Sequence, residues 1–267
     1  MYKKWKLYEP VPELAAFARK IGRDTTVAAL LWHRGIRTRE EAKLFLHPEQ
    51  LPFCDPFQMR DMDKAVARIM SALEQGEHIT VYGDYDVDGM TATSLLTRTL
   101  RKVGARVDFY IPDRMTEGYG LNRKALEAIA EHSDLLITVD CGIASVEDVA
   151  AVQGTGRLDI IITDHHLPGS ALPPACAVLN PHRADCPYPD KDLAGVGVAF
   201  KLCQALAAAR KGGWDEQAAF ADDLELVALG TVADIVPLRG ENRRIVKQGM
   251  ARMEATLLPG IAALVEV

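Results

Sequence analysis

The residues best suited to chemistry stand in four short segments that are rich in Asp and His. They are Asp84, Asp86 and Asp88; Asp140; Asp164, His165 and His166; and Asp234. Carboxylates and imidazoles, without a thiolate, form the ligand set that suits Mn²⁺ or Mg²⁺. The pattern therefore predicts a site for divalent cations, provided that the fold brings the four segments together.

The first segment is the most crowded. Asp84, Asp86 and Asp88 repel one another, so a folded chain tolerates them only where cations or water screen their charge. A solvated acidic loop is one alternative, and it stays open. A calcium-binding loop would begin with the same pattern, but it requires Glu at its twelfth position, where this chain has Leu95. A strand also precedes the segment where that loop needs a helix, so the calcium loop is excluded.

The elements that must position these residues are short strands alternating with helices. Apolar runs predict strands at residues 79–83, 106–111, 135–139, 158–163 and 177–179, with helices between them at 90–103, 121–131 and 145–152. Nearly continuous apolar runs such as LLITV are typical of strands that are buried on both faces. The alternation predicts an α/β fold with an open, mainly parallel five-stranded sheet and helices on both faces.

The first, third and fourth predicted strands end in the acidic segments. Because the carboxyl ends of parallel strands meet at one edge of a sheet, we expect these side chains to converge there. Taken singly, Asp140 could cap a helix, the two histidines could lie in a turn, and Asp234 could be an N-cap. The joint occurrence of all four segments favours the metal site.

The chain divides into three predicted regions. Residues 1–58 read as short helices at 13–21, 25–34 and 38–46, the last one opened by a Thr38-x-x-Glu41 capping box. Residues 59–255 form the main domain. After its last strand, a Gly-punctuated turn at 193–197 opens a helix that continues to about 210, and further helices follow at about 215–229 and at 240–253. Residues 256–267 begin a new amphipathic pattern, which we expect to be the start of a connecting helix.

Bulk composition excludes several classes of protein. The chain of 267 residues is 48% hydrophobic and 25% charged, has no apolar run of membrane-spanning length and has no secretion signal, so we expect a cytoplasmic protein. Its five cysteines contain no Cys-x-x-Cys pair, which argues against a disulfide framework and a thiolate zinc site. The formal net charge of −6 provides no protein-wide attraction for nucleic acid, so any polyanion binding must be local.

The motifs resemble those of a known family. DYDVDG (84–89), VDCG (139–142), DHH (164–166) and GTVADIVPL (230–238) are similar to the signature motifs of the DHH phosphoesterase superfamily. EGYGLN (117–122) and LAGVGVAFKL (193–202) resemble its RecJ branch of single-stranded-DNA-specific exonucleases. The resemblance implies a hydrolase with two ions, Mn²⁺ or alternatively Mg²⁺, that acts 5′ to 3′ on single-stranded DNA in DNA repair and recombination. It also implies a second, substrate-gripping domain that this sequence does not include, so we expect weak or nonprocessive cleavage.

The resemblance also implies a role for each motif residue. The implied metal ligands are Asp86, Asp88, Asp140, His165 and Asp234, with Asp140 bridging the two ions. Asp84 would be a further ligand or a catalytic base, His166 would face the phosphate as a catalytic residue, and Asp164 would orient a histidine.

Other polar residues have both functional and structural interpretations. Arg114 could meet a phosphate and Tyr119 could stack on a base, or both could belong to a Gly-rich surface loop. Thr91 could bind an anion at the start of a helix, or it could simply cap that helix. A basic cluster fits a solvated helix face better than a binding site; it comprises Arg239, Arg243, Arg244, Lys247 and Arg252.

Two other functions stay open. One is a small-substrate DHH phosphatase that acts on dinucleotides or nucleotide phosphates, and the other is a non-catalytic nucleic-acid-binding or scaffold module. The main hypothesis predicts a monomer whose partners are single-stranded DNA with a 5′ end and DNA-repair proteins, with no membrane contact.

Overall fold

The computed structural model describes residue 4 and residues 6–118, 120–211 and 223–267. The chain forms two compact units, Met1–Leu51 and Pro52–Val267. In the first unit, helices α1 (Leu14–Ile21), α2 (Thr25–His33) and α3 (Arg39–Leu46) and a 3₁₀ turn (Pro48–Gln50) enclose a small core. The capping box is confirmed, because the Thr38 hydroxyl accepts the Glu41 N–H at 3.1 Å and the Glu41 carboxylate accepts the Thr38 N–H at 3.0 Å.

The second unit is built on a sheet of five strands. They are β1 (His78–Gly83), β2 (Arg106–Tyr110), β3 (Leu135–Val139), β4 (Asp159–Thr163) and β5 (Ala177–Leu179). All neighbouring pairs are parallel, and the spatial order is β2-β1-β3-β4-β5. The predicted fold class is confirmed, and the predicted strands differ from the observed ones by one residue at most.

Helices cover both faces of this sheet. They are α4 (Met62–Gln75), α5 (Val87–Lys102), α6 (Arg123–Ile129), α7 (Val146–Gln153), α8 (Gly195–Lys211), α9 (Leu224–Ala233), α10 (Gly240–Met253) and α11 (Pro259–Glu266), with a 3₁₀ turn at Pro56–Gln58. The predicted helix ends differ from the observed ones by more than two residues at two places. Helix α5 starts three residues early because Asp86 caps it, and α9 continues past residue 229 to Ala233. The predicted start of that second helix, near residue 215, lies outside the described residues.

The period-2 alternation of the strands produces two separate cores. Val81 packs with α4, α5 and α8 on one face, whereas the neighbouring Tyr82 packs with α6 and α7 on the other. Burying each such side chain contributes roughly 1.5–3 kcal/mol. Both faces are therefore covered, as a parallel sheet requires. Among the described residues, no helix combines the length and apolar character needed to cross a membrane.

The register places the strand ends level with one another. Gly83, Val139, Thr163 and Leu179 are partners across β1, β3, β4 and β5. The residues that follow them therefore stand side by side at one edge; they are Asp84, Asp140, Asp164 and Asn180. The strand order also reverses between β1 and β3, and such a switch point opens the crevice where α/β sheets bind ligands.

Candidate metal centre

The segment after β1 turns from strand to helix within three residues. Asp84 is buried, and its Oδ1 accepts the Tyr85 N–H at 2.7 Å. Asp86 is exposed and caps α5 by accepting the Gly89 N–H at 3.0 Å. A Cβ at position 89 would lie 2.5 Å from the Asp84 carbonyl oxygen, so only glycine permits this close turn. The turn presents the carboxylates at the sheet edge.

Asp88 connects this turn to the start of α8. Its two carboxylate oxygens accept the N–H groups of Gly195, at 2.7 Å, and Val196, at 2.8 Å. These amides would otherwise be unsatisfied at a helix N-terminus, which also favours a negative charge. A Cβ on Gly195 would lie 2.4 Å from Asp140 Oδ1, so the glycine lets α8 begin directly against the acidic cluster.

The segments after β3 and β4 supply an acid and two histidines. Asp140 has the uncommon backbone angle φ 60°, a local strain of the kind that clusters at functional sites. Asp164 Oδ1 accepts the backbone N–H groups of His165 and His166 and the His166 Nδ1–H, the last at 2.7 Å. Asp164 thus orients a histidine, as its place in the sequence predicted.

The imidazole of His165 lies among carboxylates from three other segments. Its Nε2 is 3.2 Å from Asp140 Oδ1, 3.6 Å from Asp234 Oδ2 and 3.9 Å from Asp88 Oδ2. His165 Nε2, Asp140 Oδ1 and Asp234 Oδ2 are all buried and have no hydrogen-bond partner among the residues that the structure describes. Buried polar atoms are nearly always satisfied, so this convergence indicates a place for a cation.

The structure brings together every metal ligand that the sequence predicts. Three groups offer ligand atoms that lie within 4.8 Å of one another: Asp84, Asp86 and Asp140; Asp88, His165 and Asp234; and Asp140, His165 and His166. Burial raises the pKa of the adjacent Cys141 thiol well above its usual value, so this group stays protonated and is a poor ligand. The donor set of oxygens and imidazole nitrogens fits Mn²⁺ or Mg²⁺.

The pKa values of the carboxylates also indicate that the centre lacks positive charge. Burial, together with neighbouring carboxylates, raises the pKa of Asp88 to about 8 and the pKa of Asp140 to about 9. Burial also raises the pKa values of Asp84 and Asp234. Cations compete with protons for such groups, so a bound divalent ion would keep these carboxylates ionised at neutral pH.

His166 is the cationic member of the centre. Its hydrogen bond to Asp164 raises the pKa of His166 to about 9, and the side chain is 45% exposed. Hydrogen bonds from His166 hold the pKa of Asp164 below its usual value, although burial acts in the opposite direction. The pair therefore presents an imidazolium at the mouth of the site at neutral pH.

The predicted substrate-binding residues have different surroundings. Arg114 is exposed, and its guanidinium carbon lies 5.2 Å from the centre of the Tyr85 ring, beside the first acidic segment. Tyr119 lies outside the described residues. The Thr91 hydroxyl donates to the carbonyl oxygens of Val87, at 2.8 Å, and Asp88, at 3.0 Å, within its own helix.

Sequence reasoning missed Asn180 at the fourth strand end. This residue is fully buried, and its Nδ2 donates to the His166 carbonyl oxygen at 2.9 Å. Its position directly after β5 was the available signal. The basic cluster on α10 is partly structural, because Arg244 is buried against the Phe53 ring at 3.9 Å and Arg252 Nε lies 3.4 Å from Glu225.

Comparison with known proteins gives consistent matches. A model of the DHH family, N-terminal domain, matches residues 78–231, more than half of the chain. The chain is 45% identical over 266 residues to the single-stranded-DNA-specific exonuclease RecJ of Bacillus subtilis (strain 168), a match that covers 99% of this chain and 33% of the relative.

Two solved structures of RecJ from Thermus thermophilus are similar to this one. RecJ in complex with Mn²⁺ matches with a TM-score of 0.78 and 34% identity over 97% of this chain and 36% of that chain. RecJ in complex with Mg²⁺ matches with a TM-score of 0.66 and 32% identity over 97% of this chain and 32% of that chain. The present chain thus spans about a third of the length of these relatives.

Proposed function

This chain belongs to the DHH family, as its motifs predicted, and we propose that it carries the catalytic centre of a metal-dependent exonuclease that shortens single-stranded DNA from the 5′ end. The observation that carries the proposal is the convergence of unsatisfied buried atoms from Asp140, His165 and Asp234. The names of the relatives supply the substrate class. Residues 59–255 form the domain responsible for this chemistry.

The carboxylates and His165 hold two ions, Mn²⁺ or alternatively Mg²⁺. Asp86 and Asp140, with Asp84 as a further ligand or as a base, would hold one ion. Asp88, His165 and Asp234 would hold the other, and Asp140 would serve both. The grouping of their ligand atoms within 4.8 Å supports this division. Bound ions of this kind supply Lewis acidity that activates water and stabilises the leaving oxygen of a phosphodiester.

The remaining polar residues have roles in proton transfer and in contacts with the substrate phosphate. Asp84, whose carboxyl pKa is raised by burial, would serve either as a further ligand of the first ion or as the base for the attacking water. The His166 imidazolium, held by Asp164, stabilises negative charge that develops on the phosphate. Arg114, whose guanidinium lies beside the Tyr85 ring, would meet a phosphate of the substrate.

A calorimetric titration with Mn²⁺, combined with a nuclease assay, tests this function. We expect wild-type protein to bind two ions per chain and to release nucleotides from a 5′-labelled single strand, while Asp140→Ala binds fewer ions and is inactive. Asp63→Asn, which removes an exposed carboxylate outside the cluster, serves as the control. Absence of Mn²⁺ binding by the wild type would favour a non-catalytic module.

Substrate length separates the exonuclease from a small-substrate phosphatase. We expect a long single strand to be a better substrate than a dinucleotide, and a blocked 5′ end to protect the strand. Preferential turnover of the dinucleotide would instead assign the chain to the phosphatases that share these motifs.

A further inference from the structure

The two units of the chain carry opposite net charges. Residues 1–51 contain ten Lys or Arg against six Asp or Glu, a formal net charge of +4. Residues 52–267 contain the other 21 basic and 31 acidic residues, a net charge of −10. Because a net charge of that sign repels a polyanion, attraction for a DNA strand must come from local basic surfaces. The first unit is the region of the chain with a positive excess.

Some of the basic residues of this unit line a surface cavity of about 230 Å³. It lies between the end of α1 and helix α3, and its cationic lining residues are Arg23, Arg39 and Lys43. Apolar side chains, including Ile21 and Leu46, complete the lining, and no carboxylate is among the lining residues. At ~30 Å³ per water, the volume corresponds to about eight waters, which is enough for a phosphate group and part of its sugar.

One of these cations, Arg39, is unfavourably placed in the helix that carries it, and a second cation of the same helix repels it. Arg39 is the first residue of α3, where the helix dipole disfavours positive charge. Lys43 follows four residues later on the same face, a spacing at which like charges repel. Among the described residues, Arg23, Arg39 and Lys43 form no ion pair that would offset this cost. An external anion would offset it.

We propose that this cavity binds a phosphate group of single-stranded DNA, so that the first unit holds the strand whose 5′ end the metal centre cuts. The inference rests on the proposed function and adds a contact to it. A nucleic acid fits better than an acidic peptide, because adjacent apolar residues can contact the sugar or base while the cations contact the phosphate. Each phosphate contact releases counterions, so the binding is salt-dependent.

The test measures binding of the full chain to a fluorescent oligothymidylate by anisotropy, with a chelator present so that no cleavage occurs. The Arg39→Ala/Lys43→Ala variant removes two charges from the cavity. We expect its affinity to fall about tenfold or more at ~0.1 M salt, and the slope of log affinity against log salt to become shallower by about 0.7, the contribution of one phosphate contact. The matched control is Arg106→Ala/Arg157→Ala. It removes two exposed charges at the amino ends of the strands, the sheet edge opposite the acidic segments.

Kinetics provide an independent readout. We expect the cavity variant to raise KM for a long strand while its kcat, and its turnover of a dinucleotide, stay at the wild-type values. A melting curve shows whether the variant is folded, and since both substitutions relieve repulsion in α3, its melting temperature should not fall. A salt slope and KM identical to those of the control would overturn the proposal.

The outcomes distinguish this proposal from the proposed function. If the wild type binds and cuts single strands but the cavity variant behaves like the control, the cavity has no role and the exonuclease function stands. If the wild type neither binds nor cuts single strands, the proposed function fails, and this proposal fails with it. If hexaglutamate binding is lost in the variant while DNA binding is retained, the cavity is a peptide site and the DNA assignment is wrong.

Discussion

Two clusters of buried charge lie in the second unit, and their polar atoms are satisfied in opposite ways. In the first, the ammonium of the fully buried Lys201 pairs with the Glu241 carboxylate. Glu241 also accepts the Cys54 N–H at 3.0 Å and the Tyr188 hydroxyl. Every charge in this structural cluster therefore has its partner within the chain, and the cluster ties the segment near Cys54 to α8 and α10.

The metal centre has no such internal balance. Asp84, Asp88 and Asp140 are buried and form no ion pair with a Lys or Arg in the described part of the chain, and burial raises the pKa of each. Within that part, the buried atoms of Asp140, His165 and Asp234 have no hydrogen-bond partners, whereas those of Lys201 and Glu241 have theirs. A buried cluster that the chain neutralises serves the fold, and one that it leaves short of positive charge is prepared for an external cation.

The largest expected effect comes from Asp140→Asn. This substitution keeps the shape of the side chain but removes the charge shared by two of the ligand groups. We expect Mn²⁺-dependent hydrolysis to fall by at least about a thousandfold. The metal-free melting temperature should be unchanged or raised, because the variant has no buried carboxyl that must take up a proton when the chain folds. Nuclease assays and melting curves with a chelator measure both effects. Substantial destabilisation would mean that this cluster, too, serves the fold.

Lys201→Met should show the opposite behaviour. Removal of the ammonium leaves Glu241 as a buried, unpaired charge, so we expect the free energy of unfolding to fall by about 3–5 kcal/mol, while turnover per folded molecule is retained. Denaturant titration measures the loss. Adding Glu241→Gln, which keeps the oxygen and removes the charge, should restore part of the stability. A variant that is fully stable but inactive would place Lys201 in the catalytic machinery.

The dependence of stability on pH should separate the two clusters further. The pKa values of Asp88 and Asp140 are raised to about 8 and about 9, whereas an unfolded Asp has a pKa of ~3.9. The folded metal-free protein therefore retains protons that the unfolded chain has released, and its stability falls as pH rises towards these values. His166, whose pKa is raised to about 9 from 6.5, acts in the same direction above its unfolded value.

Between about pH 6 and about pH 8, we expect the metal-free protein to lose about 1.4 kcal/mol of stability per pH unit for each retained proton. Saturating Mn²⁺ should reverse the trend, because metal binding requires deprotonated ligands. Denaturant titrations at several pH values, with Mn²⁺ or with a chelator, measure both slopes. In the metal-free protein, Asp140→Asn should reduce the slope of stability against pH by the contribution of one retained proton. An unchanged slope would show that the retained protons are bound to other groups.

The same contrast explains what the sequence could predict. The ligands after β1, β3 and β4 follow from local periodicity, because apolar runs define parallel strands and the acids come directly after them. Asp234 needed its motif, since it comes from the C-terminal end of α9 rather than from a strand. Asn180 follows the same strand-end rule, but it lacks the charge that would have drawn attention to it.

The pairing of residues in the structural cluster could not be predicted from the sequence. Lys201 and Glu241 are 40 residues apart, and each stands in a helix where a charged residue is most simply expected to face solvent. The bonds from Asp88 to the amides of Gly195 and Val196 likewise join segments more than a hundred residues apart. Such pairings depend on how the helices pack over the sheet, which hydrophobic periodicity does not encode.

The smallest expected effect concerns Thr91, which the sequence alone could assign either to substrate binding or to the helix. Its hydroxyl already donates to the Val87 and Asp88 carbonyl oxygens, so it resembles the satisfied groups of the structural cluster. We expect Thr91→Val to cost no more than about 1 kcal/mol of stability and to leave KM for single-stranded DNA within about twofold of the wild type. An increase in KM with unchanged stability would instead mean that the Thr91 hydroxyl leaves the helix to bind phosphate. In that case, a hydrogen bond within the chain would not be enough to identify a side chain of this site as structural.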